Sequence, residues 1–403
     1  ICDYNYVFDP RVFLRRFFLE GDPGGIVLLI DEAHNLVDRA MEMFSAGIRK
    51  RMVLQAVRGI DASGNPALVK ILKSINSYFI ALRKTMKEER RSFWVADELD
   101  NDLAEKVEEA LELFPDYFSG LAGEAIPQEV SDLYRNLLRF SLIRGIAGPG
   151  HRSYAENRSS DVSATIRCID PSGMLRERTD ACRAAVFFSA TLTPFDYFTS
   201  LLDGGEDVQT LSLESPFPKE HLEVFIDPRF STRYRDREHS LGPLAEYVEA
   251  FSGRGNCIFF FPSYEYLEMV LAAVVARKPD LEILAQRRGM DDLGRKDFLE
   301  SFVADHPEGV LAFAVLGGVF GEGIDLVGER LVAAVIVGVG MPPISDEKNL
   351  MKEYYDEKFG KGFLFAYTYP GMNRVLQAAG RVIRSGTDKG TVLFAGQRFA
   401  TNG

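Results

Sequence analysis

The chain has 403 residues, of which 46% are hydrophobic and 26% charged, and this length allows two or three domains with real cores. Its formal net charge of −12 excludes a protein that coats nucleic acid through overall positive charge, while it leaves room for a local basic groove. The longest apolar stretch, Leu331–Met341, is about half of the ~20 residues that a membrane span needs, and no signal peptide is visible.

Cysteine usage indicates a reducing compartment. The four cysteines are scattered along the chain and form no C-x-x-C pair: Cys2, Cys168, Cys182 and Cys257. This pattern argues against a disulfide framework and against a local zinc site. We therefore expect reduced thiols in a cytoplasmic protein without a membrane segment.

The first strong signal is the apolar run Ile26–Ile30, followed at once by Asp31-Glu32-Ala33-His34. A buried parallel strand delivers the residues after it to the carboxyl edge of an α/β sheet, where such folds bind ligands. In a nucleotide hydrolase, one acid holds Mg²⁺ and a second residue orients the attacking water. The alternative is a pair of solvated acids capping a helix that starts at His34. HExxH zinc chemistry is excluded because His34 has no partner histidine at helical spacing.

From about Asp38 to Asn157 the pattern is helical almost throughout. Apolar residues recur with a 3.6-residue period in three stretches, which begin at Leu68, Leu99 and Val130. A helical block of this length is too long for an ordinary crossover between two strands. We interpret it as an inserted helical domain whose end is marked by the polar, turn-prone stretch Gly148–Ser163.

The next strand candidate, Ala184–Phe188, is followed by Ser189-Ala190-Thr191. Two small hydroxyls at the end of this strand are placed to hydrogen-bond to the acidic loop and to His34. The alternative, which does not exclude the first reading, is a cap for a helix that begins near Pro194. The stretch Gly204–Pro218 is interpreted as a linker into a second α/β domain.

Four further apolar runs predict strands of that second domain: Cys257–Phe261, Val310–Val315, Val332–Val337 and Val392–Phe394. Runs of this kind are typical of parallel strands that are buried on both faces. The glycine-rich segment Gly317–Asp325 follows the second of them. Glycines let the backbone approach phosphate or ribose, although a plain tight turn is the commoner explanation.

The segment Gln377-Ala-Ala-Gly-Arg381-Val-Ile-Arg384 is interpreted as the start of a helix that carries Gln377, Arg381 and Arg384 on one face. Two guanidinium groups on one face are able to reach a γ-phosphate, where an arginine finger contributes about 10³–10⁵ in rate. Taken alone, a solvated basic face paired with acids is the commoner explanation.

Together and in this order, the four motifs resemble the superfamily-2 helicases, and specifically the XPD/DinG family. The resemblance extends to further blocks and covers nearly the whole chain, and the helical insertion matches the position of that family's arch domain. The blocks are Asp3–Pro10, Asp31–Leu36, Phe260–Tyr264 and Gln377–Ser385.

The resemblance implies roles for particular residues. Asp31 would bind Mg²⁺ and Glu32 would activate water, while His34, Ser189 and Thr191 would couple the nucleotide state to the nucleic acid. Gly323 and Asp325 would lie at the ATP site, and Arg381 and Arg384 would contact the γ-phosphate with Gln377 beside them. The nucleic-acid candidates are Phe261, Ser263 and Tyr264.

The expected fold class is α/β, with two RecA-like parallel-sheet helicase lobes, the first incomplete, and an inserted helical arch domain. Lobe 1 would comprise residues 1–38 and 164–212, the arch 39–163 and lobe 2 213–403.

No Gly-Lys-[Ser/Thr] sequence occurs in the chain, and about 25 residues before the Asp-Glu strand cannot hold a phosphate-binding loop with its strand and helix. The four cysteines of the family's [4Fe-4S] cluster would also precede the Asp3–Pro10 block. We therefore expect the C-terminal part of a longer helicase, in which this chain does not ligate the cluster and by itself does not hydrolyse ATP.

The expected function is that of an ATP-dependent DEAH-box DNA helicase that uses Mg²⁺ and moves 5′ to 3′ on single-stranded DNA, in repair or recombination. We expect a monomer and predict no particular protein partner. Two alternatives stay open. One is a non-catalytic nucleic-acid clamp, which the absent phosphate-binding loop favours, and the other is an RNA helicase, which shares the acidic box.

Overall fold

The computed structural model describes residues 1–96, 101–121, 123, 125–159, 161–205, 207–321 and 326–400. The chain divides into two compact units, Ile1–Gln209 and Thr210–Gly403. Each unit has its own sheets, helices and apolar core. Among the described residues, no helix combines the length and the apolar character that crossing a membrane would require.

Unit 1 contains short helices near its start and long ones in its middle. The helices are α1 (Asn5–Phe8), α2 (Arg15–Phe18), α3 (Leu36–Met43), α4 (Lys50–Gly59), α5 (Pro66–Glu88), α6 (Asn101–Gly120), α7 (Gln128–Ile146), α8 (Ser172–Asp180) and α9 (Phe195–Leu202). The strands are β1 (Val27–Ile30), β2 (Ala46–Arg49), β3 (Phe93–Ala96), β4 (His151–Arg158), β5 (Asp161–Cys168) and β6 (Ala184–Phe187).

Strands β1 and β6 pair in parallel, with Val27 opposite Ala184 and Ile30 opposite Phe187. This pairing places the residues that follow β1 and those that follow β6 at the same edge of the sheet, although they are far apart in the sequence. Leu28 and Ile30 are buried, whereas Val27 and Leu29 are 51% and 71% exposed. The expectation that such strands are buried on both faces is therefore wrong for β1, because only one of its faces packs against described residues.

The inserted region is a layer of helices on an antiparallel sheet. The predicted helical stretches correspond to α5, α6 and α7, although Leu99 lies outside the described residues. These helices and α4 share a core with Val162, Ala164 and Ile166 of β5. The sheet order is β2-β5-β4-β3, with antiparallel pairing throughout.

The prediction of a turn-prone segment at Gly148–Ser163 is wrong, because most of it forms β4 and the start of β5. Every second residue of β5 is buried and the others are half-exposed. A strand with one solvent-exposed face carries many polar residues, and its only sequence signal is the alternation of buried and exposed positions.

Unit 2 is a parallel sheet with helices on both faces. Its helices are α10 (Arg237–Phe251), α11 (Tyr264–Arg277), α12 (Asp292–Glu300), α13 (Asp346–Phe359) and α14 (Tyr369–Ala379), with the π-helix Leu364–Thr368 leading into α14. Its strands are β7 (Leu222–Asp227), β8 (Cys257–Phe261), β9 (Leu284–Ala285), β10 (Leu311–Val315), β11 (Ala333–Val337) and β12 (Gly390–Ala395).

The strand order is β7-β12-β11-β8-β10-β9, and all neighbours are parallel. Alternate residues of β8 belong to two separate cores: Phe259 and Phe261 pack with α10 and α11, and Ile258 and Phe260 pack with α12 and α14. Burial on both faces, expected for these strands, is confirmed for β8 and β11. Strands β7 and β9 were not predicted, since β7 carries the charged residues Glu223 and Asp227 and β9 has two residues.

Candidate functional site

The two acids of the Asp-Glu motif lie where the sequence places them, directly after β1. Strand β1 ends at Ile30, and the N–H of Ala33 donates to the carbonyl of Phe188 at 3.1 Å. This bond ties the acidic turn to the end of β6. Both carboxylates face solvent, with the Glu32 side chain 60% exposed.

Glu32 occupies the left-handed region, with φ 48° and ψ 41°. This conformation is uncommon for a residue with a side chain, and it costs of order 1–2 kcal/mol. Several hydrogen bonds hold it. The N–H of Glu32 donates to Asp31 Oδ1 at 2.8 Å, and the carbonyl of Glu32 accepts from the N–H of Asn35 at 2.9 Å.

Tyr4 supplies a further contact to this turn. Its hydroxyl lies 2.5 Å from the carbonyl oxygen of Asp31 and 2.9 Å from that of Glu32. Burial raises the pKa of Tyr4, and the nearby negative charges of Glu32 and Asp31 raise it further, so the phenol stays a donor. Sequence reasoning did not select Tyr4. Its only signal was its place in the Asp3–Pro10 block.

A hydrogen-bonded cluster joins the acidic turn to the segment after β6. The Ser189 hydroxyl lies 3.1 Å from Glu32 Oε2 and 2.7 Å from Nδ1 of His34. It also accepts from the N–H of Thr191 at 3.2 Å, and its oxygen is 3.4 Å from the Thr191 hydroxyl. Since the single Ser189 proton goes to Glu32, Nδ1–H of His34 donates to Ser189. The His34 side chain is only 7% exposed, so this geometry is fixed.

The helix that follows does not begin at Ser189 or Thr191. Helix α9 starts at Phe195, and its N-terminal flanking residue is Pro194. The Ser189 hydroxyl is engaged with the acidic turn instead of capping a helix, and the Thr191 hydroxyl lies beside that of Ser189. The contacts expected from the sequence with the acidic turn and His34 are therefore made by Ser189.

Asp31 fits the chemistry of a magnesium ligand. Mg²⁺ in nucleotide sites takes one or two carboxylates together with phosphate oxygens and water. Asp31 is exposed at a strand end, where its Oδ1 accepts from the N–H of Glu32. Among the described residues, no group of three or more His, Cys, Asp or Glu side chains is placed to hold a metal by itself.

The arginine motif lies in unit 2, and the predicted helix there is wrong. Helix α14 begins at Tyr369 and ends at Ala379, so Gln377 is in its last turn while Arg381 and Arg384 follow it. The helix begins early because Pro370 occupies its first turn, and it ends because Gly380 is a poor helix former. Arg381 and Arg384 thus share no helical face with Gln377.

In the turn after α14, Arg381 and Arg384 are each held by a hydrogen bond. Nε of Arg381 donates to the carbonyl of Gly321 at 3.1 Å, beside the glycine-rich segment. Gly323 and Asp325, the two residues predicted for the nucleotide site in that segment, lie outside the described residues. The backbone N–H of Arg384 donates to Asp388 Oδ2 at 2.8 Å.

Asp388 organises the turn that carries Arg384, and sequence reasoning missed it. It is 4% exposed and also accepts hydrogen bonds from Ser385 and from the N–H of Gly328. Burial alone would raise the pKa of the Asp388 carboxyl, but the hydrogen bonds from Ser385 and the backbone outweigh it and lower the pKa.

The three nucleic-acid candidates differ in exposure. Phe261 is fully buried against Phe313 and Tyr266, so direct contact with nucleic acid is excluded for this side chain, and its selection is wrong. The cause is that β8 is buried on both faces up to its last residue. Ser263 accepts from the N–H of Tyr266 at 3.3 Å and caps α11.

Tyr264 is half-buried and belongs to a small polar group at the carboxyl edge of the unit 2 sheet. Its hydroxyl accepts from Nε2 of Gln286 at 2.9 Å, and the guanidinium carbon of Arg288 lies 5.1 Å from its ring centre. Gln286 and Arg288 follow β9, a strand that was not predicted. The sequence therefore gave no basis for selecting them.

The buried cysteines are structural. Three of the four are buried, and burial raises the pKa values of the Cys168 and Cys257 thiols, which stay protonated. Such thiols are poor metal ligands and poor nucleophiles.

Comparison with known proteins gives a consistent picture. Residues 245–403 match the family model of the helicase C-terminal domain. ATP-dependent DNA helicase CHL1 of Candida albicans is 23% identical over an alignment that is 477 residues long. The alignment covers 99% of this chain and 55% of that protein. ATP-dependent DNA helicase XPD of Sulfolobus acidocaldarius is 23% identical over an alignment that is 408 residues long. The alignment covers 97% of this chain and 68% of that protein.

Two solved structures share the fold. One, described as XPD helicase, has a TM-score of 0.63 at 20% identity and covers 99% of this chain and 69% of that one. The other, S. tokodaii Xpd4, has a TM-score of 0.62 at 15% identity and covers 98% of this chain and 78% of that one. At such identities the likeness shows the fold alone. The chain spans about half the length of the first curated relatives it matches.

Proposed function

We propose that this chain, an XPD/DinG-like superfamily-2 helicase by its family match and its relatives, carries much of the motor of an ATP-dependent DNA helicase. In the complete protein, ATP hydrolysis would drive movement along single-stranded DNA from 5′ to 3′. A role in repair or recombination, a cytoplasmic location and a monomeric state are expectations from the sequence. The [4Fe-4S] cluster of the resembling family is likewise expected only in the complete protein.

One observation carries the proposal: the contact of His34 and Glu32 with Ser189 across the ends of β1 and β6. The 2.7 Å and 3.1 Å distances join an acidic turn to a hydroxyl 155 or more residues away in sequence. In the proposed reaction, Asp31 holds Mg²⁺ on the phosphates and Glu32 orients the attacking water. A proton or charge change at Glu32 would then alter the hydrogen bonds of Ser189 and Thr191, which supports their role in coupling.

The arginines of unit 2 would serve the same reaction. We propose that Arg381 and Arg384 stabilise the charge that develops on the γ-phosphate. Gln377, Gly323 and Asp325 are proposed to contact the same nucleotide. The hydrogen bond from the backbone N–H of Arg384 to Asp388 supports this role, because it fixes the turn that carries Arg384.

The decisive experiment is ATP turnover by the complete protein, with and without single-stranded DNA, beside the variant Glu32→Gln. We expect DNA-stimulated turnover that Glu32→Gln abolishes, because an amide cannot accept a proton from water. The same stimulation measured with RNA separates a DNA helicase from an RNA helicase. Turnover that is absent or indifferent to Glu32 would favour a nucleic-acid clamp.

A second variant tests the arginines. Arg384→Ala should lower turnover by about 10³-fold or more while binding of single-stranded DNA stays nearly unchanged, since an arginine finger contributes about 10³–10⁵ in rate. Arg254→Ala, an exposed arginine at the opposite edge of the unit 2 sheet, is the matched control. Undiminished turnover in Arg384→Ala would contradict the assignment.

A further inference from the structure

Helix α3 connects the acidic turn to the inserted region. It begins at Leu36, directly after Asn35, whose N–H donates to the carbonyl of Glu32. Five of its eight residues are buried, and two residues separate its end from β2. A helix of eight residues is about 12 Å long, and its internal hydrogen bonds make it stiff, so a displacement at one end reaches the other.

Side chains outside the helix supply hydrogen bonds at its C-terminal end. The last four carbonyls of an α-helix have no partner within the helix. Nη2 of Arg139, on α7, donates to the carbonyl of Glu42 at 2.6 Å, and Nε of the same side chain donates to the carbonyl of Ser45 at 2.8 Å. The Ser45 hydroxyl donates to the carbonyl of Met41 at 2.5 Å. One arginine of the inserted region therefore holds both the end of α3 and the segment after it.

Arg139 suits this position by its charge as well as by its hydrogen bonds. The C-terminal end of a helix carries a partial negative charge, so a cation beside it is stabilising. Arg139 is half-buried; burial lowers its pKa and the positive charge of Arg11 lowers it further, while Asp9 and Glu42 act in the opposite direction. A guanidinium stays charged in proteins, so both hydrogen bonds are of the stronger, charge-assisted kind.

Helix α7 holds Arg139 in place. Leu133, Leu137 and Phe140 of this helix are fully buried in the core of the inserted region. About one turn before Arg139, Nδ2 of Asn136 donates to the carbonyl of Gly47, on β2, at 3.0 Å. Residues three apart lie on the same face of a helix, so one face of α7 contacts the main chain at the end of α3 and after it.

We propose that Arg139 is a positioning residue for ATP hydrolysis, through which the inserted region controls the geometry of the acidic turn. The path runs from α7 to the end of α3, and along that helix to Asn35 and Glu32. A displacement of α3 would shift the Glu32 carboxylate relative to the Ser189 hydroxyl, which lies 3.1 Å from it. This inference rests on the proposed function and adds a means of regulating the same site.

The kinetic test is ATP turnover of the complete protein with saturating single-stranded DNA. Arg139→Ala should lower kcat about 2- to 30-fold, the range for residues that act through an intervening element. KM should stay unchanged, because Arg139 contacts main-chain carbonyls and no substrate group. Arg139→Lys should lose less, since it keeps the charge at the helix end but lacks the fork of donors. Arg135→Ala is the matched control: Arg135 lies one turn earlier on α7, is 63% exposed and pairs with Asp132.

A double variant separates positioning from a merely structural role. The Tyr4 hydroxyl holds the acidic turn directly, at the carbonyls of Asp31 and Glu32. If Arg139 acts on the same turn, the loss of kcat in Arg139→Ala/Tyr4→Phe should differ from the product of the two single losses by about 2-fold or more. A loss equal to that product would mean that the two residues act independently, and it would overturn the proposal.

Hydrogen exchange of the 403-residue chain tests the same path without turnover. The amides of Glu32, Ala33 and Asn35 are hydrogen-bonded at the acidic turn. Arg139→Ala should accelerate exchange in α3 about 10- to 150-fold, the equivalent of one hydrogen bond to a charged group, and exchange at the three turn amides should rise with it. Mass spectrometry with fragmentation to single residues gives the readout. Circular dichroism checks folding, and Arg139→Lys replaces Arg139→Ala in all three tests if the alanine variant does not fold.

Unchanged exchange in α3, or faster exchange that stops at Leu36, would show a contact that is structural only. An equal loss of kcat in Arg135→Ala would likewise remove the role of Arg139. Turnover that responds to Glu32→Gln but not to Arg139→Ala would leave the motor proposal standing without this inference. If the complete protein shows no ATP turnover, the motor proposal fails and the assignment to hydrolysis fails with it, whereas coupled exchange would still show that α7 positions the turn.

Discussion

At the scale of single residues, Glu32 is the most informative position. A side chain in the left-handed region is unfavourable, and such strain persists where the surroundings over-determine it, often at functional sites. Here the surroundings are the Asp31 carboxylate, the N–H of Asn35 and the Tyr4 hydroxyl. The strain and the hydrogen bonds together aim the Glu32 carboxylate at Ser189 and solvent.

Tyr4 is therefore expected to be a positioning residue. Tyr4→Phe keeps the ring and removes the hydroxyl, so the acidic turn loses one hydrogen bond worth about 0.5–1.5 kcal/mol. We expect kcat for ATP in the complete protein to fall about 2- to 12-fold while KM stays unchanged, because Tyr4 contacts the backbone of the turn and no substrate group.

Tyr6→Phe is the matched control, since Tyr6 lies on α1, the short helix that directly follows Tyr4, and is 46% exposed. A steady-state ATPase assay of both variants decides the matter. Equal turnover in Tyr4→Phe and wild type would show that the turn holds its shape without the hydroxyl.

At the scale of elements, the inserted region is fastened to the rest of unit 1 by hydrogen bonds at one junction. The Ser45 hydroxyl, after α3, accepts from the N–H of Cys168 at the end of β5 at 2.8 Å. His151, at the start of β4, lies with Nε2 3.1 Å from the carbonyl of Phe44 and accepts from the N–H of Gly148 at Nδ1. The chain enters and leaves the inserted region at these residues.

His151 should make this junction sensitive to acid. Burial lowers the pKa of His151, and the hydrogen bonds to Phe44 and Gly148 and the charge of Asp170 oppose this only in part. Nδ1 must stay unprotonated to accept from Gly148. Because the unfolded chain takes up a proton on this histidine near pH 6.5 and the folded chain resists it, stability is full above that pH and falls as the pH drops below it.

The measurement is urea unfolding at pH 7.5 and pH 5.5. Trp94, the single tryptophan of the chain, lies on β3 in the same sheet as His151, so its fluorescence reports this region. His151→Gln should reduce the difference between the two pH values, and the exposed His306→Gln should leave it as in the wild type. A His151→Gln variant with the full wild-type difference would assign the acid sensitivity to other groups.

The edge strand β7 is an element that the sequence pattern does not predict. Its residues Val224, Phe225 and Ile226 are each about half exposed, so β7 lacks the uninterrupted burial of β8 and β11. It nevertheless pairs with β12 along its full length, from Leu222 to Asp227. The Asp227 carboxylate at its end accepts from Arg229 and Tyr247, which outweighs burial and lowers its pKa to about 2. Backbone pairing with a partner 168 residues away, and not local pattern, decides that this segment is a strand.

At the scale of the whole molecule, the two compact units are joined by an exposed segment. Residues 207–215 have no regular secondary structure, and Leu211 and Leu213 are 77% and 79% exposed. The sequence predicted a linker here, at Gly204–Pro218. Exposed segments without regular secondary structure are preferred sites of proteolysis, and chymotrypsin accepts leucine.

Limited digestion with chymotrypsin should therefore cut first after Leu211 or Leu213. We expect two fragments that correspond to the two units, identified by mass spectrometry, before any cut inside a unit. The double variant Leu211→Asp/Leu213→Asp should delay this cleavage. Early cuts at other exposed aromatic residues, such as Phe363, would show that the segment is protected.

Much of the fold followed from local pattern. Apolar runs identified β1, β6, β8, β10, β11 and β12, and the 3.6-residue period identified α5, α6 and α7. These signals are local because burial of a strand on both faces, or of one face of a helix, dictates residue type directly. The polar strands β4 and β5 and the two-residue β9 lack such apolar runs, so they were missed.

The sequence by itself determined which residues carry charge and hydroxyl groups at strand ends, and hence the acidic turn, its Ser189 partner and the order of the motifs. Only the tertiary structure decided that Phe261 is core, that Arg381 and Arg384 lie on a turn after α14, and that Tyr4 and Asp388 lie beside functional candidates. The physical reason is distance along the chain. Local pattern reports burial and propensity, whereas a contact such as that of Tyr4 with Glu32 exists only after the chain has folded.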